Sequence, residues 1–431
     1  MTASTPVRAG IVVTGTEVLT GRVADRNGPW LAEQLRLLGV DVGQVVVVGD
    51  RPEDLRGALA HLVGSGAALV VTSGGLGPTA DDLTAEVVGQ FQGRPSVIDR
   101  GLERRIGEIV ERLTARRGWR TDPESTAAAT AKQALVPEGA TVLEPVGTAP
   151  GLVVPAGPGR SGPPVVVLPG PPSELQRMWS AALEVEPVRT AIAGAAHLRQ
   201  ETVRLWGTLE SQLASTLRAH ADELAGLEIT TCLRDGELEI VTRFSPDAQK
   251  AYDRLVEVIT ERHGDTVVST GPTVDDLVAA ALGDRGLTIA TAESCTGGLL
   301  AARLTERPGS SAWVLGGAVT YANSAKEQVL GVPAGMIAEL GAVSPEVATA
   351  MAAGARARFG ADIGVGITGV AGPGGGTPDK PVGTVHVCVA AADRSELRAL
   401  RLSGSRDAVR DRSVTMALQM LRHLLLGGPP A

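Results

Sequence analysis

The sequence predicts an α/β protein in which two domains with largely parallel sheets are joined by a small α+β domain. In the first and last parts of the chain, short apolar runs rich in β-branched residues alternate with helical patterns, as in parallel sheets covered by helices. Between these parts the order changes to helix, strand, strand, helix. The 431 residues are enough for about three domains that each bury a core.

The first domain is predicted over residues 1–180. Strands and helices are expected to alternate over Ala9–Thr14, Arg26–Leu38, Val42–Val48, Pro52–Val63, Leu69–Ser73 and Leu83–Phe91. Two further strand-like runs, Gly151–Pro155 and Val165–Leu168, flank a proline-rich connection that we expect to be exposed. Ligands of such folds bind beyond the carboxyl ends of the strands, so the turns at those ends are candidate sites.

The middle domain, residues 181–270, is predicted to pair strands near Glu228–Leu233 and Glu237–Arg243 around an Asp235-Gly236 turn. A KH-like topology fits this order, but the domain has no GxxG loop, so we do not expect it to bind nucleic acid.

The last domain, residues 271–431, returns to alternating strands and helices. The expected elements are strand Leu287–Ala292, helix Thr296–Glu306, strand Val314–Tyr321, helices Ser324–Leu330 and Pro345–Phe359, strands Ile363–Thr368, Val382–Ala390 and Leu397–Leu402, and an amphipathic helix Asp407–Leu425.

Composition excludes several classes of protein. A net charge of −8 and only three Phe, five Trp and two Tyr argue against a nucleic-acid binder. Three distant cysteines without a CxxC pair disfavour disulfides and thiolate zinc sites and fit a reducing compartment. Without a signal-like N-terminus or a long apolar run, we expect a cytoplasmic protein with no membrane partner.

The segment SGGLGPTADDLT, Ser73–Thr84, is the first candidate site. Its glycines let backbone N–H groups approach an anion, and Asp81 and Asp82 with a phosphate suit a hard divalent cation such as Mg²⁺. The alternative is a glycine turn whose acidic residues only cap a helix. Three more carboxylates follow other strand ends of the same predicted sheet: Glu17, Asp50 and Glu174.

A candidate nucleophile, Ser294, stands in TAESCTGGLL where a strand is expected to turn into a helix. That position exposes a hydroxyl and directs helix N–H groups toward an oxyanion. The alternative for Ser294 is a helix N-cap, and Cys295 is a rival nucleophile. No GxSxG motif and no histidine in a triad-like turn supplies a base.

Lys326 is the candidate base, because it is one of only four lysines among the 40 basic residues. Ser324 and Glu327 form a sequence capping box that places Lys326 in a first helical turn, where the helix dipole and desolvation lower a lysine pKa. The neutral amine could then take the Ser294 proton, with Tyr321 relaying or orienting it. The alternatives are a solvated lysine and a packed tyrosine.

A third glycine-rich segment, Gly366–Val385, suits backbone contact with a phosphate or ribose. Thr368 ends its strand, and Lys380 could pair with an anion. Arg410 at the start of the last helix either clamps a phosphate or faces solvent.

With these residues, the chain resembles the competence-damage-inducible protein CinA family over nearly its whole length. The motifs that carry the resemblance are GTEVLTG, SGGLGPTADDLTAE, LPGPPSEL, AESCTGG, GGAVTYANSAK, GAVSPEVATAMA, GITGVAGPGGGT and KPVGTVHV. It implies a nicotinamide mononucleotide (NMN) deamidase in the last domain, without a cofactor, whose Ser-Tyr-Lys residues are Ser294, Tyr321 and Lys326. Substrate contacts would come from Cys295, Thr296, Gly297, Gly298, Asn323, Thr368, Gly369, Gly372, Gly374, Gly375 and Arg410.

For the first domain the resemblance implies a molybdopterin-binding fold with metal-dependent ADP-ribose pyrophosphatase activity. Its glycine loop would use Gly74, Gly75, Gly77 and Thr79, and a Mg, Mn or Co ion would be held by Asp81, Asp82, Asp50, Glu17 and Glu174. A homodimer is also implied. Two other hypotheses stay open: a protein that binds or adenylates molybdopterin, and a non-enzymatic competence or recombination scaffold.

Overall fold

The structure, a computed structural model, describes residues 7–118, 122–195, 198–234 and 236–427. Tertiary contacts divide the chain into two units, Met1–Leu198 and Arg199–Ala431. The predicted boundary at residue 180 falls inside a helix, Pro172–Leu183, so the first unit extends beyond it. The division into three domains stays a prediction, and Asp235 of the expected hairpin turn lies outside the described residues.

The first unit alternates strands and helices for most of its length. Its elements are β1 (Arg8–Thr14), α1 (Thr16–Leu19), α2 (Asn27–Leu37), β2 (Asp41–Val48), α3 (Pro52–Gly64), β3 (Leu69–Ser73), α4 (Thr84–Gln92), β4 (Ser96–Ile98), α5 (Arg100–Arg117), α6 (Pro123–Gln133), β5 (Leu135–Pro137), β6 (Thr141–Leu143), β7 (Gly151–Val154), β8 (Val165–Leu168), α7 (Pro172–Leu183) and α8 (Glu186–Ile192).

A six-stranded sheet in the order β2-β1-β3-β8-β7-β6 forms the centre of this unit. The first four of these strands are parallel, while β7 and β6 pair in antiparallel fashion. Apolar side chains cover both faces, which explains why strands such as β3 are continuous apolar runs. The carboxyl ends of β1, β3 and β8 meet at one edge, where the glycine loop begins.

Helices α5 and α6 have no counterpart in the predicted elements. Apolar residues do recur at helical spacing in α5, as Leu102, Ile106 and Leu113 show. Its ends carry signals as well: Asp99 accepts from the N–H groups of Gly101 and Leu102, and Gly118 ends the helix with φ 64°. Helix α6 begins after the capping Asp122 with a proline in its first turn.

The second unit contains two sheets. Its elements are β9 (Arg199–Leu205), α9 (Glu210–Ala219), β10 (Leu227–Arg234), β11 (Glu237–Phe244), α10 (Gln249–His263), β12 (Val267–Ser269), α11 (Val274–Arg285), β13 (Ile289–Glu293), α12 (Leu299–Thr305), β14 (Val314–Val319), α13 (Asn323–Leu330), α14 (Ala334–Leu340), α15 (Pro345–Phe359), β15 (Ile363–Gly369), β16 (Thr384–Ala390), β17 (Ser395–Arg401) and α16 (Arg406–Leu426), with short 3₁₀ turns at Pro246–Ala248, Gly264–Thr266 and Ser310–Ala312.

The smaller sheet is antiparallel, in the order β10-β11-β9-β12. The expected strand pair is present as β10 and β11. Helices α9 and α10 contribute to a core on one face of this sheet, where the rings of Phe244 and Tyr252 stack with centroids 4.7 Å apart.

The larger sheet has the order β14-β13-β15-β16-β17. Its first three strands are parallel and the last two are antiparallel, so the prediction of largely parallel sheets in an α/β fold is confirmed. Because β13, β14 and β15 are parallel, the residues that follow them meet at one edge of the sheet. Ser294, Thr320 and Thr368 all lie there.

Helix α16 differs from the predicted amphipathic helix, because its second half is buried on nearly all sides. Its apolar residues join the core under the five-stranded sheet. On another face, Gln419 Nε2 donates to Glu237 Oε1 of β11 at 2.6 Å, and Arg422 Nε donates to Gln419 Oε1 at 2.9 Å. Burial raises the pKa of Glu237 to about 7. Among the described helices, none has the length and apolar character needed to cross a membrane.

Candidate functional sites

Ser294 lies in the turn that connects β13 to α12. Its N–H donates to the Ile367 carbonyl at 2.9 Å, and its own carbonyl accepts from Gly297 N at 3.1 Å. Gly297 and Gly298 complete the turn with φ angles of 62° and 96°, a region that favours glycine. The turn therefore fixes Ser294 at the edge of the sheet, where 9% of the residue is exposed.

Lys326 lies in the first turn of α13 and is only 1% exposed. The predicted capping box of Ser324 and Glu327 is wrong, because the N-cap position is Ala322, two residues before Ser324, and no side chain caps the helix. The predicted desolvation is present, since burial lowers the pKa of Lys326 below its ordinary value.

The Lys326 amine contacts three oxygen atoms. Nζ lies 3.1 Å from Ser294 Oγ, 2.8 Å from the Thr320 carbonyl and 3.3 Å from the Tyr321 carbonyl. A neutral amine has two N–H donors and one lone pair. When the carbonyls take the two donors, the lone pair faces the Ser294 hydroxyl, which is the geometry for removing its proton.

The phenol of Tyr321 contacts an arginine instead of the amine. Its hydroxyl accepts from Arg406 Nη2 at 2.8 Å, and Arg406 Nη1 donates to the Gly372 carbonyl at 2.7 Å. Tyr321 is 60% exposed, and its backbone carbonyl is the group that contacts Lys326. A proton-relaying role for the phenol stays a prediction.

Glu293 ends β13 and places its carboxylate at the start of α12, a role that the sequence patterns did not predict. Its buried carboxylate accepts from the N–H groups of Gly298, Leu300 and Ala301 at 2.9–3.1 Å. The sequence predicted that the N–H groups of this helix would be directed toward an oxyanion beside Ser294. These three N–H groups donate to the Glu293 carboxylate instead, so for them the prediction is wrong. The missed signal is an acidic residue directly before the serine at the end of a buried strand.

The thiol of Cys295 is a poor rival to Ser294. Cys295 is 5% exposed and packs into the core, and burial raises its pKa to about 11. A thiol with such a pKa is protonated at neutral pH, and the thiolate is the nucleophilic form.

Of the other predicted substrate residues, Arg410 contacts the Ser294 turn directly. Arg410 Nη2 donates to the Thr296 carbonyl at 3.0 Å, and Arg406 joins Tyr321 to the Gly372 loop. Thr368 Oγ1 donates to the Ala342 carbonyl at 2.8 Å. Three more predicted residues, Gly369, Gly374 and Gly375, belong to the strand end and loop between β15 and β16, and Asn323 opens α13. Lys380 instead donates to the Leu340 carbonyl at 2.6 Å.

The second candidate site is a cavity of about 330 Å³ at the carboxyl ends of β1, β3 and β8. Gly74, Gly75 and Gly77 line it as predicted, while Thr79 lies beside it in the same loop and bonds to both Asp81 and Asp82. Gly75 has φ 65°, and a Cβ there would lie 2.1 Å from Thr84 Oγ1, so only glycine fits.

Replacing Gly75 with alanine is therefore expected to lower the free energy of unfolding by about 1–3 kcal/mol, through the positive φ and the clash with Thr84. Denaturant titration measures the change. Gly57→Ala on α3 is the matched control, because a Cβ there meets nothing within 4 Å. Equal stability of the two variants would contradict the close packing of the loop.

All five predicted metal ligands line the same cavity: Glu17, Asp50, Asp81, Asp82 and Glu174. Yet no group of three or more acidic, His or Cys side chains within the described ranges is close enough to hold a metal ion. Asp50 Oδ2 accepts from Thr16 N at 2.8 Å, a hydrogen bond from Thr79 lowers the pKa of Asp81, and burial raises the pKa of Glu174.

The pair Asp81 and Asp82 nevertheless fits a hard divalent cation in one respect. Mg²⁺ is commonly bound by one or two carboxylates together with substrate phosphates, instead of by a complete protein cage. The two adjacent aspartates beside a glycine loop match that donor set. The other three carboxylates are lining groups of the cavity.

Gln133 and Thr148, which no sequence pattern singled out, also lie in the wall of this cavity. Gln133 Nε2 donates to the Leu76 carbonyl at 3.1 Å and lies 3.4 Å from Thr148 Oγ1, so it supports the glycine loop. Gln133 is the last residue of α6, which was not among the predicted elements. No local motif marks Gln133 itself.

Two protein families and several full-length relatives match this chain. The family described as "CinA C-terminal domain" matches residues 272–425, and the family described as "Probable molybdopterin binding domain" matches residues 10–188. A CinA-like protein of Mycobacterium sp. (strain JLS) is 58% identical over 426 residues, which cover 98% of this chain and 99% of the relative. A CinA-like protein of Mycobacterium tuberculosis is 54% identical over 430 residues, with 98% of each chain covered.

Among solved structures, a competence/damage inducible protein from Agrobacterium tumefaciens is 42% identical. The match covers 36% of this chain and 99% of that protein, with a TM-score of 0.35.

Proposed function

This chain belongs to the family of CinA-like proteins, and from that premise we propose that its second unit hydrolyses the carboxamide of NMN to nicotinic acid mononucleotide and ammonia. The observation that carries the proposal is the buried Lys326 amine 3.1 Å from the Ser294 hydroxyl. A nucleophile with a base in hydrogen-bond reach is the arrangement that covalent amide hydrolysis requires.

In the proposed reaction, the neutral Lys326 amine takes the Ser294 proton while Ser294 Oγ bonds to the carboxamide carbon. The tetrahedral intermediate collapses, its C–N bond breaks, and Lys326 returns the proton to the leaving nitrogen, which departs as ammonia. Water then attacks the serine ester with Lys326 again as the base. This attack releases the carboxylic acid product and restores the hydroxyl.

The test is incubation of the purified chain with NMN, with ammonia and nicotinic acid mononucleotide both quantified. Equal amounts of the two products are expected. Intact NMN after prolonged incubation at every pH at which the chain stays folded would contradict the proposal.

For the first unit we propose metal-dependent hydrolysis of the pyrophosphate of ADP-ribose to AMP and ribose 5-phosphate. The glycine loop and the carboxylates in one cavity support it. Backbone N–H groups of the loop would bind the phosphates. Asp81 and Asp82 would hold a divalent ion, which supplies positive charge at the pyrophosphate and activates water.

Removing the metal is expected to separate the two activities. A chelator should abolish AMP formation from ADP-ribose and leave ammonia release from NMN unchanged, because the Ser294 site uses a lysine base. Readdition of Mg²⁺, Mn²⁺ or Co²⁺ should restore AMP formation. If AMP formation continues at its full rate in chelator, the metal proposal is wrong.

A second function for the first unit is binding of a molybdopterin, which the match of residues 10–188 to the molybdopterin-binding family favours. A fluorescent pterin that remains with the chain through purification would support it. Hydrolysis of ADP-ribose without such a pterin would favour the pyrophosphatase.

A further inference from the structure

A buried carboxylate lies at the junction between β11 and α16, and the proposed reactions do not use it. Glu237, the first residue of β11, is 3% exposed. Its Oε1 accepts from Gln419 Nε2 of α16 at 2.6 Å, and among the described residues no second donor forms a hydrogen bond with this carboxylate. Gln419 is itself buried, and its Oε1 accepts from Arg422 Nε at 2.9 Å, which fixes the orientation of the amide. The strand and the helix therefore meet through a carboxylate and a neutral donor.

The counter-charge near Glu237 is shared with a second buried carboxylate. Arg204 Nη1 of β9 lies 3.9 Å from Glu237 Oε2, which is a long ion pair. The same guanidinium forms a closer ion pair with Glu239 and donates from Nε to the Gly271 carbonyl at 3.0 Å. Burying an anion costs free energy unless close counter-charges and hydrogen bonds replace the water that it loses. Ionised Glu237 is therefore only partly compensated, whereas the neutral acid avoids most of this cost.

Titratable or charged side chains face Glu237 from each element that packs around it. They are Arg204 of β9, Cys232 and Arg234 of β10, Glu239 of β11, Asp275 of α11, Arg303 of α12 and Arg422 of α16. With all of them in place, burial still raises the pKa of Glu237 from its usual value of 4.5 to about 7, while Arg204 and the Gln419 amide offset part of the rise. The carboxyl therefore changes its charge near neutral pH.

We propose that Glu237 is a proton-controlled contact between the small sheet and α16, which holds the helix firmly when the carboxyl is neutral and less firmly when it is ionised. The neutral acid can still accept from Gln419 through its carbonyl oxygen. Ionisation instead places a partly compensated charge between the strand and the helix. Because the folded chain binds this proton more tightly than the unfolded chain, the stability that the proton contributes is complete below about pH 4.5 and is lost as the pH rises to about 7.

The contact matters for the serine site because α16 borders that site. Arg406 and Arg410, in the first turns of α16, donate to the Tyr321 hydroxyl and to the Thr296 carbonyl. Looser packing of α16 would therefore reach the groups around Ser294. The inference concerns the packing of this helix and does not depend on whether the chain hydrolyses NMN.

Denaturant titration of the full chain, followed by tryptophan emission, tests the proposal, because Trp206 lies beside this junction. A Cβ on Gly236, the residue before Glu237, would lie 3.1 Å from the Trp206 ring and 3.4 Å from Thr415 of α16. The titration is repeated from about pH 5 to about pH 8.5. Since other groups also titrate in this range, the measured quantity is the difference in unfolding midpoint between a variant and the parent.

Glu237→Gln supplies the main comparison, because glutamine has the shape of the neutral acid and cannot ionise. Its difference from the parent is expected to grow in favour of the variant as the pH rises, and to become constant above about pH 7. Glu228→Gln is the matched control, since it is the same substitution on β10 at a side chain that is 67% exposed, and its difference from the parent should not vary with pH. A Glu237→Gln difference that is the same at every pH would overturn the proposal.

If Glu237→Gln fails to fold, Gln419→Glu decides the question. This variant replaces the amide donor by a second carboxyl group that faces Glu237. Two carboxyl groups in contact share one proton and release it only at higher pH. The fall in unfolding midpoint should therefore extend to a higher pH than in the parent, and a fall that ends at the same pH would overturn the proposal.

Discussion

Replacing Lys326 with alanine is expected to lower the rate of ammonia release from NMN by about 10²–10⁴-fold, the usual contribution of a positioned base. The variant removes the amine that lies 3.1 Å from Ser294 Oγ and leaves the hydroxyl in place. Ser294→Ala should lose activity to at least the same extent, because no bond to the substrate can form.

The pH dependence of the parent enzyme's rate tests whether the Lys326 amine acts in its neutral form. The neutral amine is the base, so the rate should rise with pH until Lys326 is deprotonated. Because burial lowers the pKa of Lys326, this rise should come below the range of a free lysine. Lys326→Arg should stay inactive at every pH, since a guanidinium keeps its proton.

Two controls separate chemistry from folding. Lys250→Ala removes an exposed lysine on α10 and should retain full activity. Cys295→Ser should retain most of it, because the thiol is protonated and packed into the core. Near-parental turnover in Lys326→Ala, or an inactive Cys295→Ser that folds normally, would refute the assigned roles.

Replacing Glu293 with alanine is expected to lower the free energy of unfolding by about 3 kcal/mol or more, because a buried hydrogen-bonded carboxylate is lost. Glu293 is 1% exposed, and without it the N–H groups of Gly298, Leu300 and Ala301 lose their acceptor. Denaturant titration followed by circular dichroism measures the change.

Glu293→Gln keeps one acceptor oxygen and should lose less stability than Glu293→Ala. Glu306→Ala, an exposed glutamate that follows the same helix, is the matched control and should be close to neutral. If Glu293→Ala and Glu306→Ala unfold at the same denaturant concentration, the carboxylate is not the main cap of α12.

Local chemistry decided which elements could be predicted from the sequence. The apolar runs that became β1, β3 and β8 were placed to within one residue, because a strand buried on both faces is a continuous apolar segment. Helix α11 was not predicted, because its alanines and aspartates give no clear apolar face.

Local sequence signals also decided which residues of the candidate site could be predicted. Ser294 and Lys326 could be found because each stands in a turn or first helical turn that the sequence marks. The contact between Arg406 and Tyr321 could not, because 85 residues separate them and only the packing of α16 brings them together. The cap by Glu293 was missed because an acidic residue at the end of a strand does not by itself show which N–H groups its carboxylate will accept from.

The way α16 is covered bears on how this chain can be shortened. A fragment cut at residue 271 would keep the five-stranded sheet but discard β11, and with it the Glu237 carboxylate that accepts from Gln419. In that fragment a face of α16 would be exposed to water, although its polar groups are paired and buried in the intact chain. Expression trials of the serine-lysine region should therefore begin upstream of Arg199, so that this helix stays enclosed.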